Sequence, residues 1–106
     1  MTETLEIGTV SEVPLGSVRR FEVSGIAIAV VHTEEGIFAL EDRCSHADVA
    51  LSEGELDGCL LECWLHGSAF DVRTGIPQSL PALTPVRTFA INADSTNPES
   101  KIIISI

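Results

Sequence analysis

The sequence has no tyrosine, one tryptophan and only six lysine and arginine residues. Sixteen aspartates and glutamates oppose these six cations, so the formal net charge is −10 at pH 7, and the isoelectric point is near 4.4. A surface this acidic repels nucleic acid phosphates and anionic lipids. We therefore expect neither nucleic acid nor a membrane as a partner. The acidic charge suits simple solubility and steering toward a basic protein surface equally well.

Long apolar runs are also missing. The longest run, residues 26–31, is about a third of a membrane span. No basic N-terminal stretch leads into an apolar export segment. The three cysteines are an odd number, which argues against a disulfide framework. We expect a soluble cytoplasmic protein whose reduced thiols are available to bind metal.

The remaining composition favours one all-β domain over residues 1–106, because 44% of the residues are hydrophobic and no segment sustains a helical period. Short segments rich in Val, Ile, Phe and Thr, separated by turn residues, predict antiparallel strands packed as a sandwich or small barrel. These segments are residues 5–10, 17–23, 26–32, 37–41, 59–64, 86–91 and 101–106. A less strand-like insert over about residues 42–85 holds all three cysteines and two of the three histidines, so it is the expected site-bearing region.

Two Cys/His pairs lie in this insert. Cys44 and His46 form a C-x-H pair, Cys63 and His66 form a C-x2-H pair, and sixteen residues separate His46 from Cys63. Three interpretations compete: ordinary buried Cys and His residues, a structural Cys2His2 zinc site, and a 2Fe-2S cluster with two Cys on one iron and two His on the other. The first pair is tighter than the usual ligand spacing of structural zinc sites.

The two pairs resemble the signature of the Rieske family, especially the Rieske ferredoxins of bacterial ring-hydroxylating dioxygenase systems. The resemblance covers nearly the whole chain and extends through residues 51–54, 70–75 and 80–82. It implies a Rieske-like antiparallel β-sandwich or barrel with a small cluster-binding subdomain of two loops. It also implies one 2Fe-2S cluster per chain.

The resemblance assigns the ligands directly. Cys44 and Cys63 would hold the buried iron, and His46 and His66 the outer iron near the surface. Around them, Gly67 would form a tight loop, and Ser68 would donate a hydrogen bond to a cluster sulfur. Trp64, beside the second loop, could pack over the cluster. The segment ending at Pro81 would cover the cluster.

Two departures from high-potential relatives imply a low midpoint potential. Those relatives carry an extra cysteine in each loop, where this chain has Val49 and Leu65, and a tyrosine where this chain has Phe70. The cluster disulfide and one hydrogen bond to sulfur are therefore absent. A His2Cys2 cluster falls at about −150 to +300 mV, and we expect this one in the lower part of that range.

The function implied is that of an electron-transfer component, not an enzyme. The chain would be a monomer passing single electrons from a flavin-dependent reductase to a terminal Rieske non-heme iron oxygenase. A second assignment stays open, because the segment 62–68 also resembles small Rieske proteins that accompany SUF iron–sulfur assembly. An oxygenase site of its own is excluded, since only His32 remains once the cluster takes two histidines.

Several residues near the ligands invite a simpler interpretation. Cys59 is expected to be a small apolar core residue, His32 a half-buried or edge histidine, and Trp64 a core residue in preference to an exposed docking residue. Four acidic residues flank the ligands and are interpreted either as an acidic rim for a reductase or as solvated loop charges. These are Asp42, Asp48, Glu53 and Glu62.

Overall fold

The computed structural model describes residues 4–44, 49–64, 67–78 and 84–106, and these form nine strands and two short 3-10 helices. The strands are β1 (Thr4–Thr9), β2 (Val18–Val23), β3 (Ile26–Thr33), β4 (Gly36–Glu41), β5 (Glu55–Asp57), β6 (Leu60–Glu62), β7 (Ala69–Asp71), β8 (Thr88–Asn92) and β9 (Lys101–Ser105). The 3-10 helices are Val10–Glu12 and Leu51–Glu53. Within these described ranges, no helix is long and apolar enough to cross a membrane.

Six strands form one antiparallel sheet in the order β1-β9-β8-β4-β3-β2. The two edge strands, β1 and β2, also lie next to each other, so the sheet curls toward a barrel. The prediction of an all-β antiparallel fold is confirmed. The predicted segments for β1 to β4, β8 and β9 agree with the structure to within two residues at each end.

The other three strands form a small antiparallel sheet in the order β5-β6-β7, between β4 and β8 in the chain. The strand predicted over residues 59–64 is present here but shorter than predicted. Gly58 and Cys59 form the β5–β6 turn, and β6 covers only Leu60–Glu62. Strands β5 and β7 were missed, because three residues are too few to show an alternating pattern. The small sheet lies inside the range predicted for the insert, and the single-domain organisation with this insert stays a prediction.

Strand β3 separates two hydrophobic cores, which explains why it is the longest apolar run. Side chains alternate across a strand: Ile28 and Val30 pack into a core with β8 and β9, whereas Ala29 and Val31 pack into a second core with the small sheet. Burial of both faces produces a continuous apolar sequence, not an alternating one. The second core therefore joins the large sheet to the small one.

Candidate metal centre

Cys44 and Cys63 lie in the second core, with exposed fractions of 1% and 0%. The same cluster of buried residues contains both of them, together with Leu51, Leu61 and Phe70. All three cysteines of the chain are in the described part of the structure, and none forms a disulfide. The fold therefore brings two thiols from separate segments into one apolar environment.

A backbone hydrogen bond closes the loop that begins at Cys44. The Cys44 amide donates to the carbonyl oxygen of Val49 at 3.0 Å. Val49 packs against the second core, so both ends of the loop are fixed. The predicted ligand of this loop, His46, lies outside the described residues.

The loop that begins at Cys63 closes in the same way. The Cys63 amide donates to the carbonyl oxygen of Ser68 at 2.7 Å, and the Gly67 amide donates to the carbonyl oxygen of Cys63 at 2.8 Å. Gly67 has φ of +76°, in the left-handed region that favours glycine. The tight turn predicted at Gly67 is thus present. His66 lies outside the described residues, and Ser68 is completely buried.

The two loops approach each other closely at Gly54. A side chain on Gly54 would collide with the carbonyl oxygen of Glu62, the residue before Cys63. Gly54 follows the 3-10 helix Leu51–Glu53, and its amide donates to the Leu51 carbonyl oxygen at 3.0 Å. Only glycine allows the segment after the first loop to contact the segment before the second.

A third segment folds back on the small sheet after β7. Pro77 pairs with Phe70 in an isolated antiparallel bridge, and the Gln78 amide donates to the Ala69 carbonyl oxygen at 2.7 Å. Phe70, which occupies the tyrosine position of high-potential relatives, is completely buried. Pro81, predicted to cover the cluster, lies outside the described residues.

Trp64 and Asp42 do not lie where the sequence predicted. Trp64 is 52% exposed, so the prediction of core packing was wrong. Burial alternates from Leu61 to Trp64, so with Cys63 in the core the Trp64 side chain faces outward. Asp42 is 4% exposed, so it is neither a rim residue nor a solvated loop charge. Glu53 and Glu62 are exposed as predicted, and Asp48 lies outside the described residues.

A network of charged and polar side chains, which no sequence signal indicated, joins the two sheets beside the second core. Arg73 donates to both carboxylate oxygens of Asp71 at 3.0 and 2.8 Å, and its Nη1 donates to Glu35 at 3.1 Å. The Cys59 thiol donates to Glu35 Oε2 at 3.0 Å. Glu35 lies in the β3–β4 turn and Asp71 ends β7, so the network fixes the small sheet to the large one.

These contacts shift the pKa values of the groups that form them. The pKa of Glu35 is lowered, first by the hydrogen bond from Cys59 and then by the charge of Arg73. The pKa of Asp71 is lowered chiefly by its hydrogen bonds from Arg73. The pKa of Cys59 is raised, first by burial and then by its bond to Glu35. Cys59 is therefore a protonated thiol packed against the core, which agrees with its predicted role outside the ligand set.

His32 is buried, and its Nδ1 lies 2.7 Å from the carbonyl oxygen of Val13. The sequence predicted a half-buried or edge histidine, so its burial was underestimated. The imidazole is held by a backbone carbonyl on the barrel side of β3. This contact identifies His32 as a structural histidine.

Cys44 and Cys63 suit the iron of a 2Fe-2S cluster that two cysteines would hold. Two buried thiols in one apolar core suit an iron that is shielded from water, since a thiolate binds iron strongly and an apolar shell controls solvent access. Within the described ranges, no three His, Cys, Asp or Glu side chains are grouped as a metal site, and these ranges omit His46 and His66. The ligand roles of the two histidines therefore stay predictions.

Comparison with known proteins agrees with this geometry. Residues 3–90 match the family model described as the Rieske 2Fe-2S domain. The chain is 46% identical over 79 residues to the ferredoxin component of biphenyl 2,3-dioxygenase from Rhodococcus jostii strain RHA1, covering 74% of each chain.

Solved structures agree as well. The ferredoxin of carbazole 1,9a-dioxygenase from Nocardioides aromaticivorans IC177 superposes with a TM-score of 0.86 at 32% identity, covering 95% of each chain. A chain from a complex of reduced oxygenase and oxidized ferredoxin in carbazole 1,9a-dioxygenase superposes with a TM-score of 0.84 at 33% identity, covering 95% of this chain and 91% of that one. This chain therefore belongs to the Rieske 2Fe-2S family, among its ferredoxin electron carriers.

Proposed function

We propose that this chain carries single electrons from a flavin-dependent reductase to a terminal oxygenase, with its cluster bound by Cys44, His46, Cys63 and His66. One observation carries the proposal. Two buried cysteines from separate loops share one core, and each donates its amide to the carbonyl five residues later in a loop that also contains a histidine. Each loop thus offers one thiol and one imidazole.

The protein residues have distinct tasks in this proposal. Cys44 and Cys63 supply thiolates that are kept from water by Leu51, Leu61 and Phe70. When bound, a Rieske cluster would accept and release one electron. Neutral imidazoles leave two fewer negative charges on the site than four thiolates would, so the site accepts an electron more readily.

The surface beside the second loop suits a protein partner. Trp64 directly follows Cys63 and exposes 52% of its surface, although an indole ring gains much from burial. On the outer face of the small sheet, Glu55 and Glu62 are both exposed and lie directly opposite each other. This acidic face favours a partner with a basic docking surface, and association should weaken as salt is added.

The experiment is reconstitution with the reductase and oxygenase components that work with the biphenyl 2,3-dioxygenase ferredoxin. We expect reduction of this chain by the reductase, and oxygenase turnover only when this chain is present. Turnover at an unchanged rate without the chain would refute the carrier role, and product formation without the oxygenase would show that the chain is an enzyme. The dioxygenase relatives favour this assignment over iron–sulfur assembly.

A further inference from the structure

The carboxylate of Asp42 is the most fully satisfied buried charge in the described part of the chain. Its side chain is 0% exposed. Oδ1 accepts the backbone amide of Ser52 at 2.6 Å, and Oδ2 accepts the Ser52 hydroxyl at 2.6 Å and Arg20 Nη1 at 3.1 Å. A buried carboxylate is costly without such partners, so all three bonds help to keep it in place.

Asp42 and its two partner residues come from three separate parts of the fold. Arg20 lies on β2, Asp42 directly follows β4, and Ser52 lies in the 3-10 helix Leu51–Glu53. The Asp42 amide also donates to the carbonyl oxygen of Ala27 on β3 at 2.9 Å. The carboxylate therefore fixes the segment after the first ligand loop to the segment before it, and fixes both to the large sheet.

The Asp42 network lies at the base of the loop that begins at Cys44. Asp42 lies two residues before Cys44, and Ser52 lies three residues after Val49, whose carbonyl oxygen accepts the Cys44 amide. The Asp42–Ser52 bonds thus join residues that lie just outside Cys44 and Val49 in the chain. They close the base of the loop a second time. A loop closed twice samples fewer open conformations than a loop closed once.

We propose that Asp42 is a positioning residue that, with Ser52 and Arg20, fixes the base of the first ligand loop and slows loss of the bound cluster. The inference rests on the ligand role proposed for Cys44. Outer residues that orient metal ligands typically change metal retention by about 10- to 100-fold when they are removed. The Asp42 network acts on the backbone that carries Cys44, so its removal should let that thiolate exchange more often.

Arg20 provides a matched control, because it has a second acidic partner on the surface. Its Nη2 lies 3.5 Å from Glu22, whose side chain is 74% exposed. An exposed pair of this kind contributes little. Glu22→Gln therefore removes a carboxylate from the same arginine without affecting the base of the loop.

The test measures cluster loss from holoprotein under oxidising, neutral conditions. Visible absorbance is followed after addition of excess EDTA to wild type, Ser52→Ala, Asp42→Asn, Glu22→Gln and Ile102→Val. We expect about tenfold faster loss from Ser52→Ala and Asp42→Asn, and a rate within about twofold of wild type for Glu22→Gln. Ile102 is fully buried in the barrel core, so Ile102→Val lowers global stability away from the loop and should leave the rate near that of wild type.

Each outcome decides the matter. Ser52→Ala removes one hydroxyl and leaves Leu51 in the core, so it is the decisive variant if Asp42→Asn fails to assemble. Wild-type rates in Ser52→Ala would overturn this inference and leave the proposed function standing. Equal acceleration by Ile102→Val would also overturn it, because global stability would then explain the effect. A wild-type protein that contains no iron or sulfide would overturn the proposed function and this inference together.

Discussion

The amide of Cys63 and the carbonyl oxygen of Ser68 are 2.7 Å apart and close the second ligand loop. Cys44 and Val49 repeat this relationship in the first loop at 3.0 Å. The two loops therefore share one backbone device, although one carries a C-x-H motif and the other a C-x2-H motif. In both, the amide of the predicted cysteine ligand is used to fix the loop that carries it.

Removal of the Ser68 hydroxyl should lower the midpoint potential. Ser68 is completely buried beside Cys63, and a hydrogen bond to cluster sulfur stabilises the reduced state, which carries more negative charge. We expect a wild-type midpoint below about 0 mV and a further fall of roughly 40–60 mV in Ser68→Ala, the equivalent of one ordinary hydrogen bond. Redox titration measures both, with Ser17→Ala as the control. An unchanged midpoint in Ser68→Ala would contradict the role given to this hydroxyl.

Replacement of Trp64 should affect electron transfer more than stability. Because this side chain is 52% exposed, Trp64→Ala should lower the free energy of unfolding by less than the roughly 3–5 kcal/mol that loss of a buried tryptophan costs. If Trp64 is buried by a partner, transfer to the oxygenase should fall by about 30-fold in kcat/KM, the usual cost of a central interface aromatic. Leu15, which is 60% exposed, provides the control variant Leu15→Ala. Equal transfer rates for both variants would place the docking surface elsewhere.

Acid should weaken the attachment of the small sheet to the large one. Folding lowers the pKa values of Glu35 and Asp71 from their ordinary 4.5 and 3.8. Their stabilising contribution is therefore present above those ordinary values and is lost as pH falls through the lowered ones. Arg73→Gln should lower the free energy of unfolding at pH 7. On acidification, the free energy of unfolding should then fall less for this variant than for wild type. Urea unfolding of the holoprotein at pH 7 and at acidic pH measures the difference, and Arg87→Gln is the control. If wild type and Arg73→Gln differed in free energy of unfolding by the same amount at both pH values, the result would contradict the link between these pKa values and stability.

Cys59 should react slowly with alkylating reagents at neutral pH. Burial and the bond to Glu35 raise its thiol pKa above the ordinary 9.0, and the thiolate is the reactive form. Glu35→Gln removes one cause of that rise, so iodoacetamide should label the variant faster than wild type by a few fold. Mass spectrometry measures the labelling rate, and Cys59→Ser identifies the labelled site. Slower labelling of Glu35→Gln would show that the carboxylate does not raise the pKa.

Much of the large sheet could be predicted from sequence, because its strands are long enough to show their pattern. Strands β2, β3 and β4 are six to eight residues long and lie between clear turn signals. The small sheet could not be predicted in the same way. Strands β5 and β7 have three residues each, and they are stabilised by packing against the second core and not by local preference.

The cysteines proposed as ligands were predicted from spacing and resemblance, whereas the residues that hold the loops were not. Asp42 and Ser52 are ten residues apart, and Glu35 and Arg73 are 38 apart. No local pattern links such pairs. The burial of Asp42 depends on where β2 places Arg20, and the exposure of Trp64 follows from the burial of Cys63 beside it. The burial of Asp42 is therefore a property of the tertiary structure.

The central claim is that one cluster is bound by two cysteines and two histidines. Pulsed EPR of the reduced protein, with histidine labelled with ¹⁵N, tests it most directly, because only imidazole nitrogens bound to iron give strong hyperfine coupling. We predict coupling from two labelled nitrogens in wild type and in His32→Gln, since His32 is held by Val13. A spectrum without nitrogen coupling, or with coupling that disappears in His32→Gln, would contradict the ligand assignment.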